Sequence, residues 1–258
     1  MIKNFFAVLA VIFCINSTAF AEDDLFAQEL AKILQDFEPE KNSAGLEVRY
    51  FSLGANANLN TNSVNLNNRE LNLKDNLNLI SNHATEFILR YKNFSIDYLQ
   101  MQKRGGGIFS AENNLTFGGE NFTNSVSAKN NLQYIKLNLE NEIISLMGTG
   151  AFWSYGLTGV YWRGNVETST KNYFVPVPTV GFGIYMAIMP KITIYSQISG
   201  MYFGGRGHLH DFESGLRYSP SKIFSLTAGF RSIGFNFKHN GNGNFRFVGP
   251  FIGLRSDF

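Results

Sequence analysis

His208 and His210, one residue apart and followed directly by Asp211, are the side chains of this sequence best suited to acid–base chemistry. A histidine beside an acid is a general base tuned near neutral pH. Such a site would belong to a lipid- or peptide-modifying enzyme working at a membrane rim. Two features oppose it. In an extended strand the two histidines share one face and Asp211 takes the other. No serine is marked as a nucleophile, because no G-x-S-x-G turn occurs. A histidine pair touching lipid headgroups, or holding a metal loosely, is no better supported. No catalytic, cofactor-binding or metal-binding residue is assigned, and the chain reads as a non-enzyme.

The larger body of chemistry is a set of charges at alternate positions in otherwise apolar stretches. The acids are Glu47, Glu86, Asp97, Asp211, Glu213 and Asp257. The bases are Arg49, Arg90, Lys136, Arg217, Arg231 and Arg255. Their signs balance. Set inside a narrow barrel, they form either an electrostatic core of paired groups or the wall of a thin, charge-selective solute path.

Those charges need strands to carry them. Phe224, Leu226, Ala228 and Phe230 alternate with Ser225, Thr227, Gly229 and Arg231, and Ile192, Ile194 and Ile198 alternate with Thr193, Tyr195 and Ser199. The same period runs through Phe87, Leu89 and Tyr91 against Glu86 and Arg90, and ends in Ile252, Leu254 and Phe258. Aromatic residues reach 15%, charged residues only 16%, against about 25% in soluble domains. Beyond the first 21 residues no apolar run is long enough for a membrane helix. Together these features read as an all-β, closed, antiparallel up-and-down transmembrane barrel, apolar outside and polar within.

Ten strands are expected, at 44–54, 83–92, 94–104, 127–138, 151–168, 174–188, 191–203, 208–219, 222–236 and 244–258. Eight is the alternative if two are rim extensions. Tight turns at Lys92-Asn93, Met189-Pro190 and Ser219-Pro220-Ser221 oppose longer polar connections at 55–82, 105–126 and 169–173. The first of these is rich in asparagine interleaved with Leu59, Val64, Leu66, Leu71, Leu73 and Leu77. It reads either as a hairpin projecting from the membrane or as a disordered loop. A second hairpin is expected to turn at Gly118-Gly119. Trp153, Tyr155, Tyr161, Trp162, Tyr173, Tyr185 and Tyr202 are read as interfacial girdles. Gly105-Gly106-Gly107 and Gly204-Gly205 precede no helix, cradle no phosphate, and read as loop and bend glycines.

The N-terminus sets the compartment. Lys3, the apolar run Phe5 to Ile15 and the small residues of Ala19-Phe20-Ala21 make residues 1–21 a cleaved signal peptide. Residues 22–43 hold a periplasmic amphipathic helix, with Phe26, Leu30, Ile33, Leu34 and Phe37 on one side, and a linker. Residues 44–258 are the barrel. The lone cysteine, Cys14, lies in the signal, so disulfides and thiol chemistry are excluded from the mature part. The net charge of +2 comes without a basic block, so nucleic acid is not an expected partner.

The terminal Phe258, with apolar residues at alternate positions before it, resembles the C-terminal assembly signal of outer-membrane proteins. Leu71-Asn72-Leu73-Lys74-Asp75-Asn76-Leu77, Leu115-Thr116-Phe117-Gly118-Gly119 and Pro176-Val177-Pro178-Thr179-Val180-Gly181 are similar to segments of a broad family of small Gram-negative outer-membrane β-barrels. Asn76 and Asn78 stand where that group often has Asp and Gly. The resemblance covers about residues 44–258 and implies a fold and a location in the outer membrane, not a reaction. It implies outer-membrane lipids and lipopolysaccharide as surroundings, and the barrel-assembly and periplasmic chaperone machinery as partners in biogenesis. No cofactor is expected. The role read for the chain is structural, surface-interacting, or porin-like passage of small solutes.

Overall fold

The computed structural model describes residues 44–258 apart from 53, 80–82, 147 and 239–240. The expected signal peptide (1–21) and periplasmic helix (22–43) lie outside the described residues.

Wherever residues of opposite polarity alternate, the chain forms strands, because alternation gives a pleated ribbon two chemically distinct faces. The first wall strand is made of β1 (Ala44–Ser52) and β2 (Gly54–Thr61). An excursion follows, carrying β3 (Val64–Leu66) and β4 (Leu71–Asn72). The wall resumes with β5 (His83–Tyr91) and β6 (Phe94–Ile108), then leaves again through the short hairpin β7 (Leu115–Phe117) and β8 (Glu120–Phe122). From there it is an unbroken meander: β9 (Ser125–Leu146), β10 (Thr149–Val166), β11 (Ser169–Met189) and β12 (Ile192–Tyr202). A single 3₁₀ turn at Gly204–Arg206 leads to β13 (Gly207–Tyr218), β14 (Phe224–Lys238) and β15 (Gly241–Asp257).

The last strand closes the sheet. Its C-terminal half pairs with β1, Phe251 opposite Phe51, and its N-terminal half pairs with β2, Val248 opposite Gly54. Three steps forward on one side match three steps back on the other, so β1 and β2 share one register. Counting them as one, ten antiparallel strands form the barrel. In the inner half closure leaves no raw sheet edge.

Both described termini and the tight turns lie at one end, here the inner end. Lys92 and Lys191 adopt positive φ in two of those turns (54° and 74°). Three places differ from the sequence expectation, two at the opposite, outer end and one, the β9–β10 link, at the inner end. Residues 169–173 are not a loop but the start of β11, and the turn sits at Glu167-Thr168, where Glu167 has φ 49°. β9 continues to Leu146, so its link to β10 is tight as well. Gly105-Gly106-Gly107 belong to β6, not to a loop. The β7–β8 hairpin does turn at Gly118-Gly119, both with positive φ, as a two-residue turn of matching twist requires.

Pro176 and Pro178 sit inside β11, where a ladder normally rejects proline. They are tolerated because β11 meets β12 only from Val180 onward. Between Ser169 and Thr179 its second edge is free of that neighbour, and a missing N–H there breaks no bond. The Pro-x-Pro segment is thus the place where two-sided pairing of β11 begins.

Candidate functional site: a lumen in two halves

The wall strands reverse polarity part way along. On β1, Leu46, Val48 and Tyr50 point outward and Glu47 and Arg49 inward; on β2, Ala57 and Leu59 point inward and Asn58 and Asn60 outward. On β15, Ile252 and Leu254 face out while Phe245 and Phe247 face in. β14 changes from Leu226 and Phe230 outside to Ile233, Phe235 and Phe237 inside. The inner half is therefore apolar outside and polar within, and the outer half is the opposite. Only the inner half follows the uniform pattern expected from sequence.

In the inner half, charges from five strands converge. Arg49 donates from Nε to Glu47 Oε1 at 2.7 Å and from a guanidinium nitrogen to Glu213 Oε2 at 2.8 Å, with Glu86 Oε2 at 3.4 Å. Arg231 grips Asp211 with two parallel bonds of 2.8 and 2.9 Å and also donates to Glu86. Such fork-to-fork pairing is the strongest geometry an arginine offers a carboxylate. Lys136 Nζ reaches Asp211 Oδ2 at 3.2 Å and Ser199 Oγ at 2.8 Å, and Tyr134 Oη donates to the same Asp211 oxygen at 2.9 Å. Glu47 also accepts from Arg90 at 2.6 Å and from Thr227 Oγ1 at 2.7 Å. Glu47 and Glu86 are 0% exposed. Buried carboxylates stay ionised only when so compensated.

Toward the inner rim the set loosens. Arg255 pairs with Asp257 at 2.7 Å, while Arg217 lies 5.4 Å from the Tyr195 ring, its Nε without a hydrogen-bond partner among the described residues. Asp97 stands opposite Lys136 in the β6–β9 register, with Oδ1 unpartnered. The structure thus places all twelve charges named from sequence on the inward face and draws most into one network. Tyr134, Ser199 and Thr227 complete it. No sequence signal singled those three out, because a hydroxyl on an inward position looks like any other small polar residue.

In the outer half the lumen is filled by hydrocarbon. The asparagine-rich excursion neither projects nor hangs free: it folds inward as a lid. β4 pairs with β2, β3 pairs with β7, and Leu59, Leu71, Leu73 and Leu77 are all essentially inaccessible. Between the last two runs a single helical turn, with Asn76 N bonded to Asn72 O and Asn78 N to Lys74 O (both 2.9 Å). Asn72 Oδ1 caps it, accepting from the amides of Lys74 (2.9 Å) and Asp75 (3.1 Å). Asn78 ends it at φ 49°, the left-handed region that asparagine tolerates better than most residues.

The turn lies directly against the wall at Gly105 and Gly107. A Cβ on Gly105 would come within 2.3 Å of Leu77 O, and one on Gly107 within 2.2 Å of Asn76 O. These glycines form a shelf for the lid. Beside it Trp162 stacks on Tyr173 (5.6 Å) and touches Phe117 (6.3 Å) and Phe245 (6.5 Å). Trp162 and Tyr173 are therefore packed inside, not in an interfacial girdle. Trp153, Tyr155 and Tyr202 do face outward. The cavity at the seam between lid and wall measures about 20 Å³, room for a water molecule and not for a solute.

His208 and His210 stack on the outward face with ring centroids 6.0 Å apart, while Asp211 points inward into its bonds with Arg231, Lys136 and Tyr134. The histidines and the acid do not form a dyad. Among the described residues no group of three or more His, Cys, Asp or Glu is placed to hold a metal ion. Phe258 donates its amide to Ala44 O at 3.0 Å and leaves its ring 70% exposed, in line with Ile252 and Leu254 on the exterior.

No protein-family model and no curated protein matches the sequence. Solved structures of outer-membrane β-barrel proteins superpose on it. The outer-membrane protease OmpT from Escherichia coli is 9% identical, covering 85% of this chain and 98% of that one with a TM-score of 0.48. The translocator domain of the autotransporter NalP from Neisseria meningitidis is 9% identical, covering 91% and 95% at 0.42. Neisserial surface protein A is 11% identical, covering 84% and 97% at 0.33.

Proposed function

We propose that this chain is an integral outer-membrane barrel with a sealed lumen, acting through structure and surface contact and not as a solute path. The observation that carries the reading is the polarity reversal along the strands. The inner half exposes Leu46, Phe87, Leu137, Leu157, Phe182, Ile194, Leu216, Leu226 and Leu254, one from each of nine wall strands, far more contiguous apolar surface than a protein leaves in water. A strand needs only about 9–11 residues to cross a bilayer. β9 has 22 and β11 has 21. The surplus stands outside the membrane as a polar-surfaced barrel with its own apolar core, like a small soluble β-domain on a membrane base.

The short turns and both described termini then lie on the periplasmic side, and residues 1–21 would be removed on export. Outer-membrane lipids and lipopolysaccharide surround the apolar belt, and the periplasmic chaperones and barrel-assembly machinery deliver the chain, reading Phe258 and its alternate neighbours.

Two measurements test the reading. The folded protein should migrate faster on a gel unheated than boiled, and require detergent for extraction. In planar bilayers the intact protein should give no discrete conductance, whereas removal of residues 63–79 should give steps. A steady single-channel current through the intact chain would overturn the sealed lumen.

A further inference from the structure

Above the apolar belt, the outward faces of β6, β9 and β10 carry three cations close together. Arg104 on β6 stands directly opposite Lys129 on β9, and Arg163 on β10 stands opposite Asn131, one diagonal step from Lys129. All three are exposed. Among the described residues none of them forms an ion pair, and the neighbouring exposed acid, Glu167 in the β10–β11 turn, accepts instead from the Ser127 amide at 2.5 Å. Like charges placed opposite on neighbouring strands repel. Three cations beside the single acid Glu167 leave a positive excess whose counter-charge comes from elsewhere.

What lies beneath specifies the partner. Further down the strands, four residues from Arg104 and Lys129 and two from Arg163, Gln100, Gln133 and Tyr161 share one level, in register across β6, β9 and β10. Below them come Ile135, Leu137 and Leu157, exposed on the belt. At roughly 3.3 Å per residue, the six residues from Lys129 to Ile135 span about 20 Å. The three tiers are cationic, amide- and hydroxyl-bearing, and apolar.

We propose that this face binds a phosphorylated glycolipid of the outer leaflet. Its phosphate would sit among Arg104, Lys129 and Arg163, its sugar would lie against Gln100, Gln133 and Tyr161, and its acyl chains along Ile135, Leu137 and Leu157. A simple phospholipid lacks the saccharide layer that matches the middle tier. The assignment rests on the membrane reading above.

The test uses the full barrel purified in dodecyl maltoside, with native mass spectrometry reading retained lipid. Lipid A (an acylated disaccharide bearing phosphates) should be retained, while its dephosphorylated form, phosphatidylglycerol and inorganic phosphate should each bind at least about tenfold more weakly. The variant Arg104→Gln, Lys129→Gln, Arg163→Gln should lose lipid A about tenfold or more, as three exposed ion pairs of roughly 0.5 kcal/mol each imply, with its heat-dependent gel shift intact. Equal retention of the dephosphorylated form, or of free phosphate, overturns the assignment. If the triple variant fails to fold, the lipid comparison on the unaltered protein decides alone. A barrel that shows the gel shift and enters bilayers, yet ignores the phosphates, sinks this inference only; one that does neither sinks the membrane reading with it.

Discussion

Along β14, Thr227 and Arg231 point into a lumen of paired charge, and only four residues further Phe235 points into one of stacked rings. The two halves are walled by the same strands, so the difference lies in what surrounds them. Where lipid is outside, the interior holds the polar side chains, locked by hydrogen bonds at 2.6–3.4 Å. Where water is outside, the interior becomes an ordinary apolar core, and a chain excursion supplies the leucines to fill it. The barrel is not a pipe with a plug but two solvent environments met by one sheet.

If this contrast is right, the halves should fail differently. The largest effect is expected from Arg231→Ala, which strands Asp211 and Glu86 without their chief partner and should cost about 3–5 kcal/mol in urea unfolding from vesicles. Replacing Arg231, Asp211 and Glu86 together by apolar residues of similar size should cost much less. A triple variant as unstable as the single one would break the comparison. In the outer half Leu77→Ala should cost about 2–4 kcal/mol through the cavity it leaves, with no rescue by charge. Gly105→Val should lift the lid from its shelf for about 1–3 kcal/mol, and residues 63–79 should then be cleaved faster by added protease. The smallest change is Asn72→Ala, about 1 kcal/mol from the lost cap, read as faster amide exchange in the lid turn alone.

Much of the barrel was legible in the sequence. Ten alternating strands, the tight inner turns and the inward charges all follow from period two, because every second residue shares a solvent. What period two alone does not disclose is a change of phase. The apolar positions run Leu226, Ala228, Phe230 and then Ile233, Phe235, Phe237. The same slip occurs between Trp153, Tyr155, Leu157 and Val160, Trp162. That slip is the signature of the half turned inside out, and it was open to inspection. The lid was harder to foresee, since its leucines needed to know that a cavity awaited them. Gly105 and Gly107 read as loop residues because a strand glycine that admits a neighbouring backbone looks the same as one that bends. Trp162 and Tyr173 looked like girdle residues for a similar reason: an aromatic near a strand end suits an interface and a capped core equally well.

The seam between β1 and β15 joins residues some two hundred positions apart, Gly45 with Asp257 and Phe51 with Phe251. No earlier portion of the chain can make that join. Until the final strand arrives, each growing sheet carries two unsatisfied margins, inviting any passing ribbon to dock. Folding of this protein is thus a race between its own last segment and strangers, and a chain ending before Phe251 has nothing with which to close the inner half.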